Sequence, residues 1–431
     1  MGGQSPPIAP MALPLFLPCA AGVEPLLEEE IQRILPSKIL YPTRGGVGLD
    51  GGPIEVMKLN LHSRLAMRVL AEVAEGPYQN ENDLYRLARS VDWLQWITPQ
   101  HTLRVDTTAT HSPLKSLNFA ALRIKDGVCD VMREATGERP SVDIRHPDLP
   151  LHLHVGTERA SLYVDTSGES LFKRGWREDK GDAPLKETLA AAMLAAAGWR
   201  GTPEAGGALH DPTCGSGTIA IEAAQIACGI APGLKRRFAF ERLLPFTDDD
   251  SRAEWQRQKS HAQARIHPSA VPIYASDVSF RMVDFARRNA ERAGVADAIQ
   301  FNGGDALERP APDLPEGLPG TLMINPPYGE RIEVAGKAAR PSAEDRDTPD
   351  DFFPRLSAHW KRAYTKHPAG WTAWVLSPDM KLAGSMRLKE SRRVPMWNGP
   401  IECRLYRFDL VAGSNRAPTG QDTASRGPSQ K

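Results

Sequence analysis

Asn325 follows the apolar run Leu322, Met323, Ile324 and is itself followed by Pro326, Pro327 and Tyr328. Two prolines withhold backbone N–H groups and fix φ, so a strand must stop there. The turn then displays one amide and one aromatic ring at a strand's carboxyl end, the edge where open α/β sheets bind ligands. Alone, NPPY reads equally well as a capped strand end. A second stretch, HDPTCGSGTIAIEAA (210–224), is sharper. A strand ends at Asp211, a turn carries Cys214, Gly215 and Gly217, and an alanine-rich helix begins near Thr218. Glycines let backbone approach a ligand closely, and the helix start offers unpaired amides. Neither a dinucleotide GxGxxG nor the GKS or GKT of a phosphate loop is present, so this turn suits a ligand without a pyrophosphate.

Asp277 closes the next apolar run, PIYASD. A carboxylate at that edge can accept hydrogen bonds from both hydroxyls of a ribose. It could also cap the helix RMVDFARRNAERAG. Its separation from the glycine turn far exceeds the usual ~20 residues, which requires CGIAPGLKRRFAFERL and its continuation to decorate the sheet as an insertion. Asp305, in NGGDA after the following strand, is placed to meet an adenine amino group, although Asp in such a loop also forms turns.

These residues need a scaffold, and the pattern supplies one. From about 180 to 411, the runs GALHD (207–211), PIYASD (272–277), AIQFN (298–302), TLMIN (321–325) and WTAWVLS (371–377) alternate with helical stretches. That predicts a parallel, doubly wound sheet. RRVPMW and IECRLYRFDLV flank Asn398-Gly399, a hairpin signal, so the sheet should end in an antiparallel pair. Residues 13–168 instead mix strands and helices in an α+β pattern. LPLFLP and LRVDTTAT read as strands, GVEPLLEEEIQRIL as a helix, and LHLHVGT with ASLYVDT as a hairpin. A helix over Leu117 to Met132 should bury Leu122, Ile124, Val128 and Val131. Residues 335–350 and the tail 412–431 carry too much Pro, Gly, Ser and charge to order themselves, and residues 1–12 read as a loose leader.

A chain of 431 residues predicts two or three domains. No segment reaches the roughly 18 apolar residues of a membrane span. Five scattered cysteines without a CxxC pair fit a reducing cytoplasm and no metal site. The 53 basic and 53 acidic residues cancel, which argues against a surface coated in positive charge for nucleic acid. Any RNA contact must be local. Candidates are Lys235, Arg236 and Arg237 in the insertion, Arg392 and Arg393 before the last hairpin, and Arg174 and Arg177 flanking Trp176. Each is equally readable as a solvated face.

Taken together, residues 170–411 resemble a class I S-adenosylmethionine-dependent methyltransferase. DPTCGSGT resembles its first motif, Asp277 its ribose acid, Asp305 its adenine-side acid, and NPPY its amino-methylating motif. LFKRGWR…APLKETLAAAML (171–194) and NPPYGER resemble the bacterial ribosomal RNA guanine-N2 methyltransferases of the RlmL type. Residues 13–100 and 101–168 look like the ferredoxin-like and THUMP segments those enzymes carry, ahead of a methyltransferase domain over 169–411. The resemblance implies S-adenosylmethionine as cofactor, S-adenosylhomocysteine as product, and 23S ribosomal RNA or a large-subunit assembly intermediate as partner. It puts Asp211, Cys214, Gly215, Gly217, Asp277, Asp305 and Asn325 at the cofactor, and chemistry at Asn325, Pro326 and Tyr328. The Asn325 oxygen and Pro326 carbonyl would accept the two N–H groups of the guanine amine, while Tyr328 stacks on the flipped base. Some RlmL enzymes continue into a second methyltransferase domain; with the chain ending soon after 411, that second activity is expected to be missing. NPPY also serves enzymes that methylate adenine N6 or a protein glutamine amide. From another class, an inactive RNA-binding assembly factor would keep the fold and lose the chemistry.

Overall fold

The computed structural model describes residues 12–181, 184–326 and 349–410. Most of the 1–12 leader, Tyr328, the loop up to 348 and the tail from 412 lie outside the described residues. The last two residues of the 335–350 loop begin the helix Pro349–Ala363.

The N-terminal half is one sheet of eight strands: β1 (Leu13–Pro18), β2 (Leu40–Thr43), β3 (Gly46–Gly51), β4 (Leu70–Pro77), β5 (Thr102–Ala109), β6 (Ser141–Val142), β7 (Leu149–Val155) and β8 (Arg159–Asp165). Their order is β2-β3-β1-β4-β8-β7-β5-β6. The expected hairpin is present, with Leu153 of β7 opposite Leu162 of β8. Alternation in LPLFLP turns Leu15 and Leu17 into the core, where helices α1 (Glu24–Ile34) and α2 (Pro53–His62) cover one face. Helices α3 (Glu81–Arg89) and α4 (Leu117–Thr136) pack together. Helix α4 buries Ala120, Ile124, Val128 and Met132 at four-residue spacing. Leu122 falls two residues off that stripe, about 200° around the helix, and is 51% exposed; this corrects the expectation that it is buried. Val131 is half-buried.

The C-terminal sheet has seven strands: β9 (Ala208–Asp211), β10 (Ile273–Asp277), β11 (Ile299–Gly303), β12 (Gly320–Ile324), β13 (Trp371–Ser377), β14 (Glu390–Asn398) and β15 (Ile401–Leu410). Their order is β11-β10-β9-β12-β13-β15-β14. The first five run parallel, and β15 pairs antiparallel with both β13 and β14. The chain leaves β9 toward β10 and β11, then crosses to β12 and β13. The switch point lies between β9 and β12, whose carboxyl edge is the place where open α/β sheets bind ligands. Strands β9 and β12 are buried throughout, as parallel strands covered on both faces must be. Helices α5 (Glu187–Ala196) and α6 (Thr218–Ala227) are buried on almost every side.

The insertion does more than decorate. Its helix α7 (Asp249–Ala264) packs on α2, Gly233 N donates to Leu61 O (3.0 Å), and Leu244 N donates to Trp96 O (3.0 Å). It therefore wedges the two halves together, and one apolar core runs from Leu15 through Leu405. Among the described residues, no helix is long and apolar enough to cross a membrane.

Candidate cofactor and base-binding site

Asp211 ends β9 beside Ala275 of β10, and Asp277 ends β10. One Asp277 oxygen accepts from Gly215 N (2.9 Å), the other from Ser279 N (2.9 Å). This carboxylate thus ties the glycine turn to the start of helix α8 (Phe280–Ala293). Ser279, not Asp277, is the N-cap of α8, which corrects the capping alternative. Asp277 only accepts from that residue's amide ahead of the helix, and each of its oxygens keeps a second lone pair for a ligand. Asp211 is buried, and its Oδ1 accepts from Thr213 N (3.1 Å). Burial pushes its carboxyl up to about 8, and the nearby Asp277 charge adds to this. Burial also raises Asp277. Two raised acids at one sheet edge form a site that a cation would relieve.

The glycines of the turn serve different ends. Gly217 has φ +90°, and a Cβ there would stand 2.9 Å from the Ala286 Cβ on α8, so packing alone demands glycine. Gly215 has φ +52° and nothing within 4 Å of its Cβ position. There the missing side chain leaves open space. Cys214 is buried, its N–H donating to Ser276 O (2.9 Å). Burial pushes its thiol well up, which makes it a packing residue and not a nucleophile.

On the other side of the switch point, Asn325 Oδ1 is buried without a hydrogen-bond partner among the described residues. An orphaned buried acceptor costs roughly 1–3 kcal/mol, and a native protein tolerates one where a ligand completes it. Pro326 behind it is buried. Asp305 forms the expected turn, its Oδ1 accepting from Leu307 N (2.9 Å).

The basic candidates divide sharply. Arg174 is buried, with Nε 3.0 Å from Glu222 Oε1 and further bonds to Leu171 O and Arg64 O (both 2.8 Å). Glu222 also takes Arg64 Nη1 (3.3 Å). Arg174 is therefore a junction residue, and its expected role as an RNA contact is corrected: its guanidinium is consumed inside the protein. Arg177 is corrected on the same ground, its donors going to Glu187, Ser216, Thr218 and Leu185 O. Arg236 bonds the carbonyls of Ser170 and Lys173 (2.9 Å each) and Glu169 (2.7 Å), so it is spent on the connector between halves. Lys235, Arg237, Arg392 and Arg393 are exposed, although Arg393 lies over the Tyr406 ring. The sequence did hold a signal for the missed partners. Glu222 and Glu187 are lone acids in alanine-rich buried helices, and a buried carboxylate requires a cation.

A parallel sheet with reversed strand order at β9/β12, a glycine turn, two strand-end acids and an orphaned amide oxygen define a class I methyltransferase, whose cofactor is S-adenosylmethionine. The chain belongs to the family described as RMKL-like, methyltransferase domain, which matches residues 174–407. A THUMP domain matches 78–165 and an RlmL ferredoxin-like domain matches 14–70. The chain is 35% identical over 406 residues to the ribosomal RNA large subunit methyltransferase K/L of Psychromonas ingrahamii, covering 92% of this chain and 50% of that one. The protein of the same name from Pseudomonas aeruginosa is 35% identical over 441 residues, covering 96% and 56%. The chain thus spans about half the length of the curated relatives it matches. Among solved structures, SMU.472, named as a methyltransferase and complexed with SAH, has a TM-score of 0.78 at 26% identity, covering 93% of this chain and 98% of that one. A Listeria monocytogenes protein named as an N6-adenine-specific DNA methylase has a TM-score of 0.77 at 25% identity, covering 92% and 96%.

Proposed function

We propose that this chain transfers the methyl group of S-adenosylmethionine to the exocyclic N2 amine of a guanine in 23S ribosomal RNA, free or in an assembling large subunit in the cytoplasm. The observation that carries this reading is the orphaned Asn325 oxygen beside the two raised acids. The residues fit the cofactor. Asp277 has lone pairs for ribose hydroxyls, Gly215 opens space for close approach, and Asp305 stands by for the adenine amine. Asp211, whose raised carboxyl releases its proton as a cationic ligand arrives, then supplies negative charge toward it. Bound there, the cofactor supplies an already activated methyl group.

The protein's share is positioning. A guanine amine is a weak nucleophile because its lone pair is delocalised into the ring. Asn325 Oδ1 and the Pro326 carbonyl accept its two N–H groups, pulling the nitrogen toward a tetrahedral shape with its lone pair free. A carbonyl on a proline turn is held without reorganisation at the transition state. Well-oriented positioning is worth roughly 7–11 kcal/mol in favourable cases. Tyr328 stacks on the base once it leaves the helix stack. The N-terminal half docks structured RNA through backbone and shape, which a modest patch can do despite zero net charge.

Mass-spectrometric mapping of ribosomal RNA from cells lacking the protein tests the reading. A single 23S guanine losing one N2 methyl is the expected result. A lost methyl on adenine N6, or on a protein glutamine with rRNA unchanged, would replace it with the corresponding reaction of the same NPPY turn.

A further inference from the structure

The short connector 174–181 does something that neither its sequence nor the family description assigns. Arg177 spreads its guanidinium over both sides of the cofactor turn. Nη1 donates to Ser216 Oγ (2.8 Å) and Nη2 to Thr218 Oγ1 (2.6 Å) and Leu185 O (3.3 Å), while Nε pairs with Glu187 Oε1 (2.8 Å). Ser216 lies inside the glycine turn between Gly215 and Gly217, and Thr218 opens helix α6. The same turn is held from a second direction. Asn289 of α8, fully buried, donates to Ser216 O (3.0 Å) and to Asp179 O of the connector (2.8 Å). Its Oδ1 accepts from Glu178 N and Asp179 N (3.3 Å each). Ser216 is thus gripped by its side chain and its carbonyl at once.

We infer that Arg177, seated on Glu187, is a positioning residue for S-adenosylmethionine binding, acting through Ser216 and Thr218 to hold the glycine turn in its ligand-receiving shape. The need is physical. Gly215 and Gly217 both sit at positive φ, and glycine gives up more conformational freedom on ordering than any other residue. A turn left to itself would meet that ordering cost when the cofactor binds. The planar five-donor fork of arginine meets it beforehand, because it reaches two hydroxyls and a carboxylate from one fixed plane, which a lysine ammonium cannot. The same geometry takes Arg177 out of RNA binding. The inference rests on the glycine turn being the cofactor turn.

Arg177→Lys keeps the charge beside Glu187, so the buried acid stays compensated and the fold survives. Calorimetry with S-adenosylmethionine should then show affinity reduced about tenfold, the equivalent of one charged hydrogen bond in this position. Ser216→Ala, a minimal edit, should lower it about threefold. In steady state the KM for S-adenosylmethionine should rise, while kcat and the KM for 23S RNA stay near wild type. The salt dependence of RNA binding should also be unchanged. Wild-type cofactor affinity in both variants would overturn the inference, as would a weakened RNA affinity with a shallower salt slope, the signature of a lost phosphate contact. Failure of the unmodified protein to bind S-adenosylmethionine would instead sink the cofactor assignment itself.

Discussion

The two sheets of this molecule differ in what their polar groups have left to bond. On the eight-stranded N-terminal sheet many of them close on one another: Thr108 Oγ1 lies 3.0 Å from both His152 Nε2 and His154 Nδ1, Arg159 pairs with Glu75, and Asp165, raised by burial, is held by Arg68. Thr107 Oγ1 on β5 is buried without a partner among the described residues. At the carboxyl edge of the seven-stranded sheet, Asn325 Oδ1 has no partner among the described residues and two carboxyls are raised by burial. Satisfied groups report a surface whose folded shape is its own end. An unpartnered amide oxygen and two raised acids that meet at a topological switch point report a site that spends stability to receive a ligand. Between the sheets lies a third arrangement, the buried Arg64–Glu222–Arg174 joint, where polar groups are satisfied only by residues from both halves.

The largest test of this contrast is at the joint. Glu222→Ala leaves two arginines buried without their anion and should cost about 3–5 kcal/mol, read as a lowered urea midpoint. A loss below about 1 kcal/mol would show the joint to be wet and replaceable. Next is Asn325→Ala, whose turnover on ribosomal RNA should fall by about 10²–10³, as for other groups that act chiefly in the transition state. Its S-adenosylmethionine affinity should stay within a few fold. Asp277→Ala should reverse that pattern, weakening cofactor binding by about tenfold or more through lost hydrogen bonds to a charged acceptor. Unchanged calorimetry would remove it from the site.

Asp211 gives a smaller effect with a definite sign. Its folded carboxyl is raised to about 8, above an unfolded value near 4. The folded state therefore holds the extra proton between those limits, and its stability falls as pH rises through that window. Asp211→Asn should flatten the fall and raise the unliganded melting temperature near pH 8 by about 2–4 °C, while weakening the cofactor. A variant less stable than wild type at pH 8 would mean the acid is not strained. Smallest of all, Arg237→Ala on the exposed insertion should leave stability within about 0.5 kcal/mol. If it touches RNA, the log–log salt slope should shrink by about one.

Much of this was readable beforehand where local chemistry and position agree. The five parallel strands were legible because buried parallel strands are short apolar runs between turn signals, and Asp211, Gly217 and Asp277 because they punctuate those runs. Thr218 begins α6 where the glycine turn said it would. What stayed hidden depends on distant pairing. Arg174 and Arg177 flank a tryptophan and look like a nucleic-acid patch in one dimension. Their acids stand 48 and 10 residues away, and only packing shows that the arginines are consumed. The insertion misled for the same reason, since its task is to join two bodies and not to extend one.

The Arg64–Glu222 pair also bears on how the chain is made. The two residues are 158 positions apart, so at roughly 5–20 residues per second the ribosome delivers Glu222 about 8–30 s after Arg64. Until then the Arg64 guanidinium lacks its strongest anionic partner, and although Glu30 of the same half also attracts it, burying it without Glu222 is costly. The N-terminal sheet can close around its own apolar face meanwhile, but its junction side has to wait for α6. The clasp between the halves is thus a late event in biosynthesis, and an emerging chain presents an unfinished, positively charged seam to its surroundings for that interval.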